Sequence, residues 1–456
     1  MPRRLKPVGD KLFDLNLVLF IVLLLVLALA GGASRADVLG QTVTRASAWL
    51  IAIAAILFAP RPDFRPIAPV AFLLAASIAL VALQLIPLPP SIWTALPGRD
   101  FLMQAAIAIG EPQTWRPISL SPGASLNALS SLIVPIVALL LCGGMSLHDH
   151  RRISVAILLI TVVSCMVGAL QFSGSRFDNP LINDVPGSVS GIFANRNHFA
   201  LLLACGCAIA PAWAFSSSRA PQWKAFVAIG LMLLFALTVL ATGSRMGIVL
   251  SAVGIGLGLL SVWQRVVAKA RSVPRHILIP VLVTIVGLLV VTIVAFVAMD
   301  RAVSISRAMN IDASSDLRTA ALPTVLELTK IYAPFGTGFG TFDPVYRIHE
   351  PASLLSYRYF NHAHNDLLEI LVEGGIPAAL LLLCGLGWWA LRSIRVWRAP
   401  LESHLILPRT GSTIVFLVVL ASATDYPART PLIMAILLVA AVWLSSLGAS
   451  RAQTKT

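Results

Sequence analysis

The chain has 456 residues, of which 57% are hydrophobic and only 12% are charged, about half the charged share of an ordinary globular protein. So much apolar surface excludes both a water-soluble fold and a disordered chain, and it indicates a protein of the lipid bilayer. The net charge of +14 would suggest nucleic-acid binding in a soluble protein, but in a membrane protein it must first be divided between the two faces.

Apolar runs bounded by proline, glycine and charged residues predict an all-α polytopic protein with about twelve transmembrane helices, forming a single membrane domain over 1–456. No cleavage site is convincing after the first run, which we interpret as a retained helix and not a signal peptide. The five cysteines fall within or beside predicted spans, so neither a disulfide nor a metal site is expected. The predicted spans are about 15–31, 44–59, 67–86, 126–145, 153–172, 197–215, 223–242, 246–263, 276–299, 367–391, 406–424 and 430–449.

The connections between these spans differ in charge from one side to the other. Alternating sides puts 20 Lys and Arg with 5 acids on the side of the termini, and 14 Lys and Arg with 15 acids on the other side. Because Lys and Arg in short loops set the orientation, both termini are predicted to be cytoplasmic. The basic surplus is then a topology signal with possible contacts to anionic membrane lipids, and it does not support a nucleic-acid partner.

Three connections on the outer side are long, and they are the expected place of the functional site. They are predicted at about 87–125, 173–196 and 300–366, the last being a large loop before the tenth span. The first of them contains tryptophans and arginines that could shape a substrate cleft or lie on the bilayer surface.

Residues 195–198, Asn-Arg-Asn-His, stand directly before a hydrophobic helix. A helix N-terminus offers free N–H groups and the positive end of the helix dipole, so this segment suits an anion. The alternative is N-capping by Asn195 or Asn197, with Arg196 at the membrane interface.

A second arginine, Arg245, lies in the tight turn Thr242–Gly247 between two spans. An arginine so close to hydrocarbon requires an anionic partner or a wet cavity, unless it extends to the lipid headgroups. Later in the chain, Gly336, Gly338 and Gly340 resemble a phosphate-binding loop, but no strand or Walker lysine accompanies them, which favours a flexible turn beside the site.

The segment from His362 to Glu373 combines histidines with carboxylates. Asp366 and Glu369 have the spacing of a capping box, which predicts a helix start, with His364 just outside it. Imidazole is the usual proton acceptor near neutral pH. Glu369 and Glu373 lie four residues apart on one helix face, at a depth where acids need partners or water.

Taken together, these segments resemble the O-antigen ligase and polymerase superfamily of bacterial membrane glycosyltransferases. That family combines an Asn-x-Asn segment, a Ser-Arg-x-Gly turn, a Gly-x-Gly-x-Gly stretch and a His-Asn-x-x-Leu-Glu motif followed by Glu-x-Gly-Ile. The corresponding segments here are Asn195-Arg-Asn197, Ser244-Arg-Met-Gly247, Gly336-Thr-Gly-Phe-Gly340, His364-Asn-Asp-Leu-Leu-Glu369 and Glu373-Gly-Gly-Ile376. The resemblance covers about residues 190–380 well and the flanking spans by topology only.

The resemblance implies an inverting, metal-independent glycan transfer at the periplasmic face of the bacterial inner membrane, without a cofactor. The donor would be an undecaprenyl-diphosphate-linked glycan. The acceptor would be lipid A-core for a ligase, which we slightly favour, or another lipid-linked glycan for a polymerase of O-antigen or exopolysaccharide. A secondary transporter with twelve spans is the competing class, although few charges are predicted at the membrane midplane, where a transport site is expected.

The resemblance also implies roles for individual residues. His364 would be the general base or would orient the leaving diphosphate, while Arg196 and Arg245 would bind that diphosphate. Glu369 and Glu373 would hold these side chains in place. Further substrate contacts are predicted for Asn195, Asn197, Arg318, Arg347, Arg358, His362 and Asn365.

Overall fold

The computed structural model describes residues 14–111, 114–175, 179–183, 187–216, 221–271, 313–355 and 360–446, with four single positions between 272 and 312. Apart from those four positions, the predicted span 276–299 lies outside the described residues. Arg358 and part of the predicted 300–366 loop lie outside them as well.

The described residues are mainly helical, with one pair of two-residue strands. Strands β1 (Pro87–Leu88) and β2 (Arg116–Pro117) pair antiparallel. Short 3-10 helices occupy Arg65–Ile67, Ala352–Leu354, Ser403–Leu405 and Pro427–Arg429. The α-helices are α1 (Leu15–Ala30), α2 (Leu39–Phe58), α3 (Ala68–Leu83), α4 (Pro90–Trp93), α5 (Asp100–Ala108), α6 (Pro122–Ser131), α7 (Ile133–Cys142), α8 (Leu147–Phe172), α9 (Arg196–Ala214), α10 (Gln222–Thr242), α11 (Arg245–Ser261), α12 (Trp263–Arg271), α13 (Ala313–Ile331), α14 (Phe342–His349), α15 (Asp366–Arg398), α16 (Ile406–Ser422) and α17 (Pro431–Ser445).

Within the described ranges, eight helical segments are long and apolar enough to cross a membrane, and the pair α11–α12, bent by 73°, would make a ninth. Two shorter apolar helices, α1 and α17, have 16 and 15 residues. Every predicted span other than 276–299 coincides with a described helix or helix pair. The chain is thus an all-α polytopic membrane protein, while the total of twelve spans stays a prediction.

Two predicted boundaries differ from the structure in a way that matters for the polar residues. Helix α2 begins at Leu39 instead of 44, so Arg45 is its seventh residue and not the second residue of the span, as predicted. The predicted loop 87–125 is largely structured, because it contains α4, α5 and both strands and ends where α6 begins. Polar residues at these helix starts hid the true boundaries, since hydropathy detects only the apolar part of a helix.

The connections gather at two opposite ends of the bundle. At one end, which we call the site end, the Ala194 amide donates to the Gly32 carbonyl (3.1 Å). At the other end, the Asp63 amide donates to the Gly143 carbonyl (2.8 Å). In the alternation predicted from the sequence, the site end would correspond to the periplasmic side.

Helix α9 lies at the centre of the bundle, since nearly all of its residues are buried. It packs against α8, α10, α11 and α16. The α9–α11 crossing is close enough that a Cβ on Gly254 of α11 would stand 2.5 Å from the Ala204 carbonyl oxygen of α9. Small residues allow such close packing in membranes, and here it brings the N-termini of α9 and α11 together at the site end.

The segment between α3 and α6 is anchored to the Gly336–Gly340 loop. Arg99 is only 2% exposed, donates to the Ile118 carbonyl (2.7 Å) and lies 5.8 Å from the ring centres of Trp93 and Tyr332. Burial lowers the pKa of its guanidinium to about 10, although the nearby Tyr332 raises it. Arg99 therefore fixes this segment to the protein.

The glycine loop packs against α15 at a break in that helix. Gly375 has φ +58° and ψ −151°, which interrupts the helix just after Glu373. The Thr337 and Gly338 amides donate to the Val372 and Glu373 carbonyls freed by this break (3.0 and 2.8 Å). These two loop amides are thus occupied by α15 instead of being free to bind phosphate, in agreement with the predicted turn.

We predict that Gly375→Ala destabilises the protein by at least about 2 kcal/mol. A Cβ at this position would stand 2.1 Å from the Pro334 carbonyl oxygen, and the positive φ disfavours any L side chain. The control is Gly387→Ala in the same helix, where no atom lies within 4 Å of the added Cβ. It is expected to be neutral or stabilising by up to about 1 kcal/mol. Thermal unfolding of both variants in the same detergent tests this, and equal melting temperatures would contradict it.

Candidate active site

Four connections meet at the site end. They are the start of α9, the turn between α10 and α11, the segment 360–365 before α15, and the segment 423–430 between α16 and α17. The side-chain amide of Asn195 donates to Asp425 Oδ2 (3.0 Å), and the Asp425 carboxylate also contacts His364. Three of the sequence motifs are therefore brought together, with Asp425 as their common partner.

The two asparagines cap a helix and also organise the site. Asn195 is the N-cap of α9, because its Oδ1 accepts from the Asn197 amide (2.8 Å), as the alternative interpretation predicted. The Asn197 Nδ2 donates to Asp425 (2.6 Å), and its Oδ1 accepts from the Ser244 hydroxyl (2.8 Å). Since Ser244 caps α11, this chain of bonds ties both helix starts to Asp425.

Asp425 is a buried carboxylate, 3% exposed, and both of its oxygens accept hydrogen bonds. Its Oδ2 accepts from the side chains of Asn195 and Asn197. Its Oδ1 accepts from the Tyr426 amide (3.0 Å) and faces the His364 Nδ1 (3.3 Å). A buried carboxylate with this many donors can remain ionised.

The surroundings of Asp425 also set its acidity. Burial acts to raise the pKa of this carboxyl, but the hydrogen bond from His364 and the charges of His198, His364 and Arg318 outweigh burial and lower the pKa. Burial raises the pKa of the neighbouring Tyr426, and the Asp425 charge adds to that increase. At neutral pH, Asp425 is therefore the carboxylate and Tyr426 the neutral phenol.

His364 is held in an unusual backbone conformation, with φ +49°. A non-glycine residue in the left-handed region costs free energy and is often found at functional sites. Because ionised Asp425 can only accept, the His364 Nδ1 carries the proton toward it. Within the described residues, the opposite ring nitrogen, Nε2, has no hydrogen-bond partner. It is the atom available to take a proton.

Arg429 organises a second, separate cluster of carboxylates. Its Nε lies 3.2 Å from an Asp366 oxygen, and its Nη2 lies 3.2 Å from Glu369 and 3.0 Å from Glu373. Both glutamates are fully buried. Burial acts to lower the pKa of Arg429, but the three carboxylates raise it. One arginine thus contacts three acids.

The two predicted supporting acids also fix neighbouring segments. Glu369 faces the His362 Nδ1 (2.8 Å) and accepts from the Ala363 amide (2.8 Å). Glu373 accepts from the Phe342 amide (3.1 Å). Neither acid pairs with Arg196 or Arg245 in the described part of the chain.

Three other arginines surround the Asp425 cluster. Arg196 and Arg245 are the first residues of α9 and α11, and the Arg196 guanidinium lies 3.8 Å from where a Cβ on Gly243 would stand. Arg318 of α13 is close enough to act on the pKa values of Asp425 and Tyr426, and its buried Nε lacks a hydrogen-bond partner in the described structure. Among the described residues, none of the three forms an ion pair with a carboxylate. Three cations beside two helix N-termini make an environment that suits an anion.

Two remaining predicted contacts have structural partners. The N-cap of α15 is Asn365, whose Oδ1 accepts from the Leu367 and Leu368 amides (both 3.1 Å), so the capping box predicted with Asp366 as the cap is wrong by one residue. The reason is that the Asp366 side chain turns to Arg429 instead. Arg347 lies on α14 and pairs with Asp343 (2.7 Å).

Sequence reasoning missed Asp425, Tyr426 and Arg429. All three lie in the short connection between α16 and α17, in the run Asp425-Tyr-Pro-Ala-Arg429. The sequence did offer a signal for these residues, namely an acid and an arginine in a short outward turn between two spans. Charged residues so close to the hydrocarbon need partners. His198 is also part of the site, because its Nδ1 contacts the Thr430 hydroxyl (2.9 Å) and its ring lies 5.3 Å from that of Tyr426.

Part of the chain matches a known protein family. Residues 230–383, about a third of the chain, match the model of the O-antigen ligase family. No curated protein matches the chain. The matched segment contains Arg245, Arg318 and His364, whereas Asp425 and Arg429 lie outside it. The match over residues 230–383 supports a relation to the O-antigen ligase and polymerase superfamily of glycosyltransferase-like enzymes of polysaccharide assembly, and together with the apolar helices it indicates a bacterial integral membrane protein.

Proposed function

We propose that this protein transfers a glycan from undecaprenyl diphosphate to a sugar hydroxyl of lipid A-core, at the periplasmic face of the inner membrane. The observation that supports it most is the His364–Asp425 pair beside three arginines that lack carboxylate partners in the described chain. A base and a diphosphate-binding site are what this transfer needs from the protein.

The proposed step is a single displacement. The acceptor hydroxyl oxygen attacks the anomeric carbon of the donor sugar from the face opposite the diphosphate, which inverts that centre. The bond between this carbon and the diphosphate oxygen breaks, and polyprenyl diphosphate leaves with the bonding electrons. The hydroxyl proton passes to the His364 Nε2, while Asp425 holds the Nδ1–H and stabilises the imidazolium that forms.

Arg196, Arg245 and Arg318 would bind the diphosphate and stabilise the charge that develops as it leaves. Arg429 is unsuited to this role, because its charge is already matched by Asp366, Glu369 and Glu373. The site also lies at one end of the bundle and not halfway through it, which favours a transferase over a transporter.

We expect Arg245→Ala to raise the KM for the lipid-linked donor by about tenfold or more, because a charge-assisted contact to the diphosphate is lost. Arg245 is exposed, so the variant should remain folded in the membrane. Arg395→Ala, an exposed arginine at the opposite end of the bundle, is the control and should leave the KM unchanged. An unaltered donor KM in Arg245→Ala would remove this residue from the diphosphate site.

Reconstitution tests the function itself. The purified protein is supplied with a lipid-linked oligosaccharide and either lipid A-core or a second lipid-linked unit. We expect a product with lipid A-core. A product formed only with the second lipid-linked unit would identify a polymerase, and no transfer to either acceptor by folded protein would contradict the proposed chemistry.

A further inference from the structure

The structure contains a second feature that the proposed chemistry does not use, a cavity of about 950 Å³ on the other side of the Arg429 cluster. It is bounded by α2, α3, α6, α7, α15, α16 and α17, and Arg196, Arg245, Arg318 and His364 are absent from its lining. Its deep part is apolar and is lined by Leu73, Leu74, Leu381, Leu382, Trp388 and Leu437. Walls of this kind suit a hydrocarbon chain.

One wall of the mouth carries Arg45, the seventh residue of α2 and about 9 Å along the axis from its start. Its Nη1 donates to Asn127 Oδ1 (2.7 Å) and Ser130 Oγ (2.9 Å), and its Nη2 donates to Gln41 Oε1 (3.3 Å). All three partners are neutral, and the buried Nε has no partner in the described structure. An arginine inside a span without an anion is costly.

The other arginines at the mouth have carboxylate partners. Arg35 pairs with Asp37, and Arg429 pairs with three acids. Of the cations that line this cavity in the described residues, Arg45 is therefore the one without a carboxylate partner. Its environment is complementary to an anionic group that enters with an apolar chain.

The wall opposite Arg45 has a surplus of acidic side chains. Asp366, Glu369 and Glu373 outnumber Arg429 there, and His362 lies beside them. These carboxylates are buried behind the wall, and their negative charge repels a phosphate. His362 and His364 both contact the Tyr426 ring, at 4.2 and 4.9 Å between ring centres, so this wall leads from the cavity to the proposed base.

We propose that this cavity binds the acceptor, a phosphate-bearing glycolipid, with its phosphate on Arg45 and its apolar chains between α3, α15 and α17. Its glycan then extends along the acidic wall toward His364, while the donor diphosphate occupies the arginines on the far side. The assignment of acceptor and donor rests on the proposed transfer, whereas the binding of a lipid phosphate by Arg45 does not.

The test uses the full chain in nanodiscs and the variants Arg45→Gln and Arg45→Lys. With a constant donor, Arg45→Gln should raise the KM for the phosphorylated acceptor by about tenfold or more and leave the donor KM and kcat within about twofold. Arg45→Lys keeps the charge and should recover part of the loss. With an enzymatically dephosphorylated acceptor, wild type and Arg45→Gln should behave alike. Arg395→Gln, at the opposite end of the bundle, is the charge control.

A binding measurement separates this inference from the transfer reaction. A photoreactive phenylalanine analogue in place of Leu382, in a His364→Ala background, should capture lipid A-core under illumination, and Arg45→Gln should reduce the yield by about tenfold. Capture that depends on Arg45, combined with a wild-type protein that transfers no glycan, would support the lipid site and contradict the proposed function. The acceptor assignment would be overturned if the protein captured only the lipid-linked unit. It would also be overturned if Arg45→Gln changed only the donor KM, or changed neither the acceptor KM nor the capture yield.

Discussion

His364→Ala is expected to lower the rate of glycan transfer by about 10²- to 10⁴-fold, the usual contribution of a general base. Asp425→Asn should lower kcat by at least about tenfold with little change in either KM, because Asp425 acts through the histidine. An asparagine that keeps its oxygen toward Asn195 and Asn197 would present an N–H to the His364 Nδ1. The imidazole would then have to carry its proton on Nε2, the atom needed as base. Initial rates with purified variants in nanodiscs measure both effects.

The double variant His364→Ala/Asp425→Asn separates positioning from general damage. If Asp425 acts through His364, the double variant is no slower than His364→Ala alone. Asp63→Asn, an exposed carboxylate at the opposite end, and His404→Ala, beside exposed Glu402, are the matched controls and should keep wild-type rates. Losses that multiply in the double variant would show that Asp425 has a role independent of His364.

Arg429→Met is expected to destabilise the folded protein by about 3–5 kcal/mol, the cost of removing one partner from a buried ion cluster. The substitution leaves Asp366, Glu369 and Glu373 close together without a cation, and the two glutamates have no access to water. The pKa of Arg429 is raised by these acids, so it is the protonated partner at any working pH. The amount of folded protein and its melting temperature in detergent measure the effect.

A compensating substitution tests the reason given for this loss. Glu373→Gln removes one charge, so Arg429→Met/Glu373→Gln should recover part of the stability that Arg429→Met loses. Arg398→Met, at the exposed end of α15, is the control for loss of an arginine and should shift the melting temperature little. If the double variant were less stable than Arg429→Met, unpaired charge would not be the cause.

The fold class was predictable from the sequence, because a long apolar run has few alternatives to a membrane helix. The helix starts were less predictable. The start of α2 was predicted five residues too late, since a hydropathy pattern does not detect a polar first turn, and the capping residue before α15 was assigned to Asp366 instead of Asn365. In the second case a tertiary contact decides the local structure, because the Asp366 side chain turns to Arg429.

The sequence by itself determined that the protein is a membrane-embedded helical bundle, and its motifs marked Arg196, Arg245 and His364 as residues of one site. Only the tertiary structure decided which groups complete that site, because Asp425 and Arg429 lie far from the motifs along the chain and are brought to them by the packing of α16 and α17 against α9 and α15. The structure also shows that Arg429 is paired with three acids, whereas the other three arginines of the site have no carboxylate partner in the described chain. Whether a charge is compensated depends on distances of a few ångströms between distant segments, and no spacing along the sequence specifies those distances.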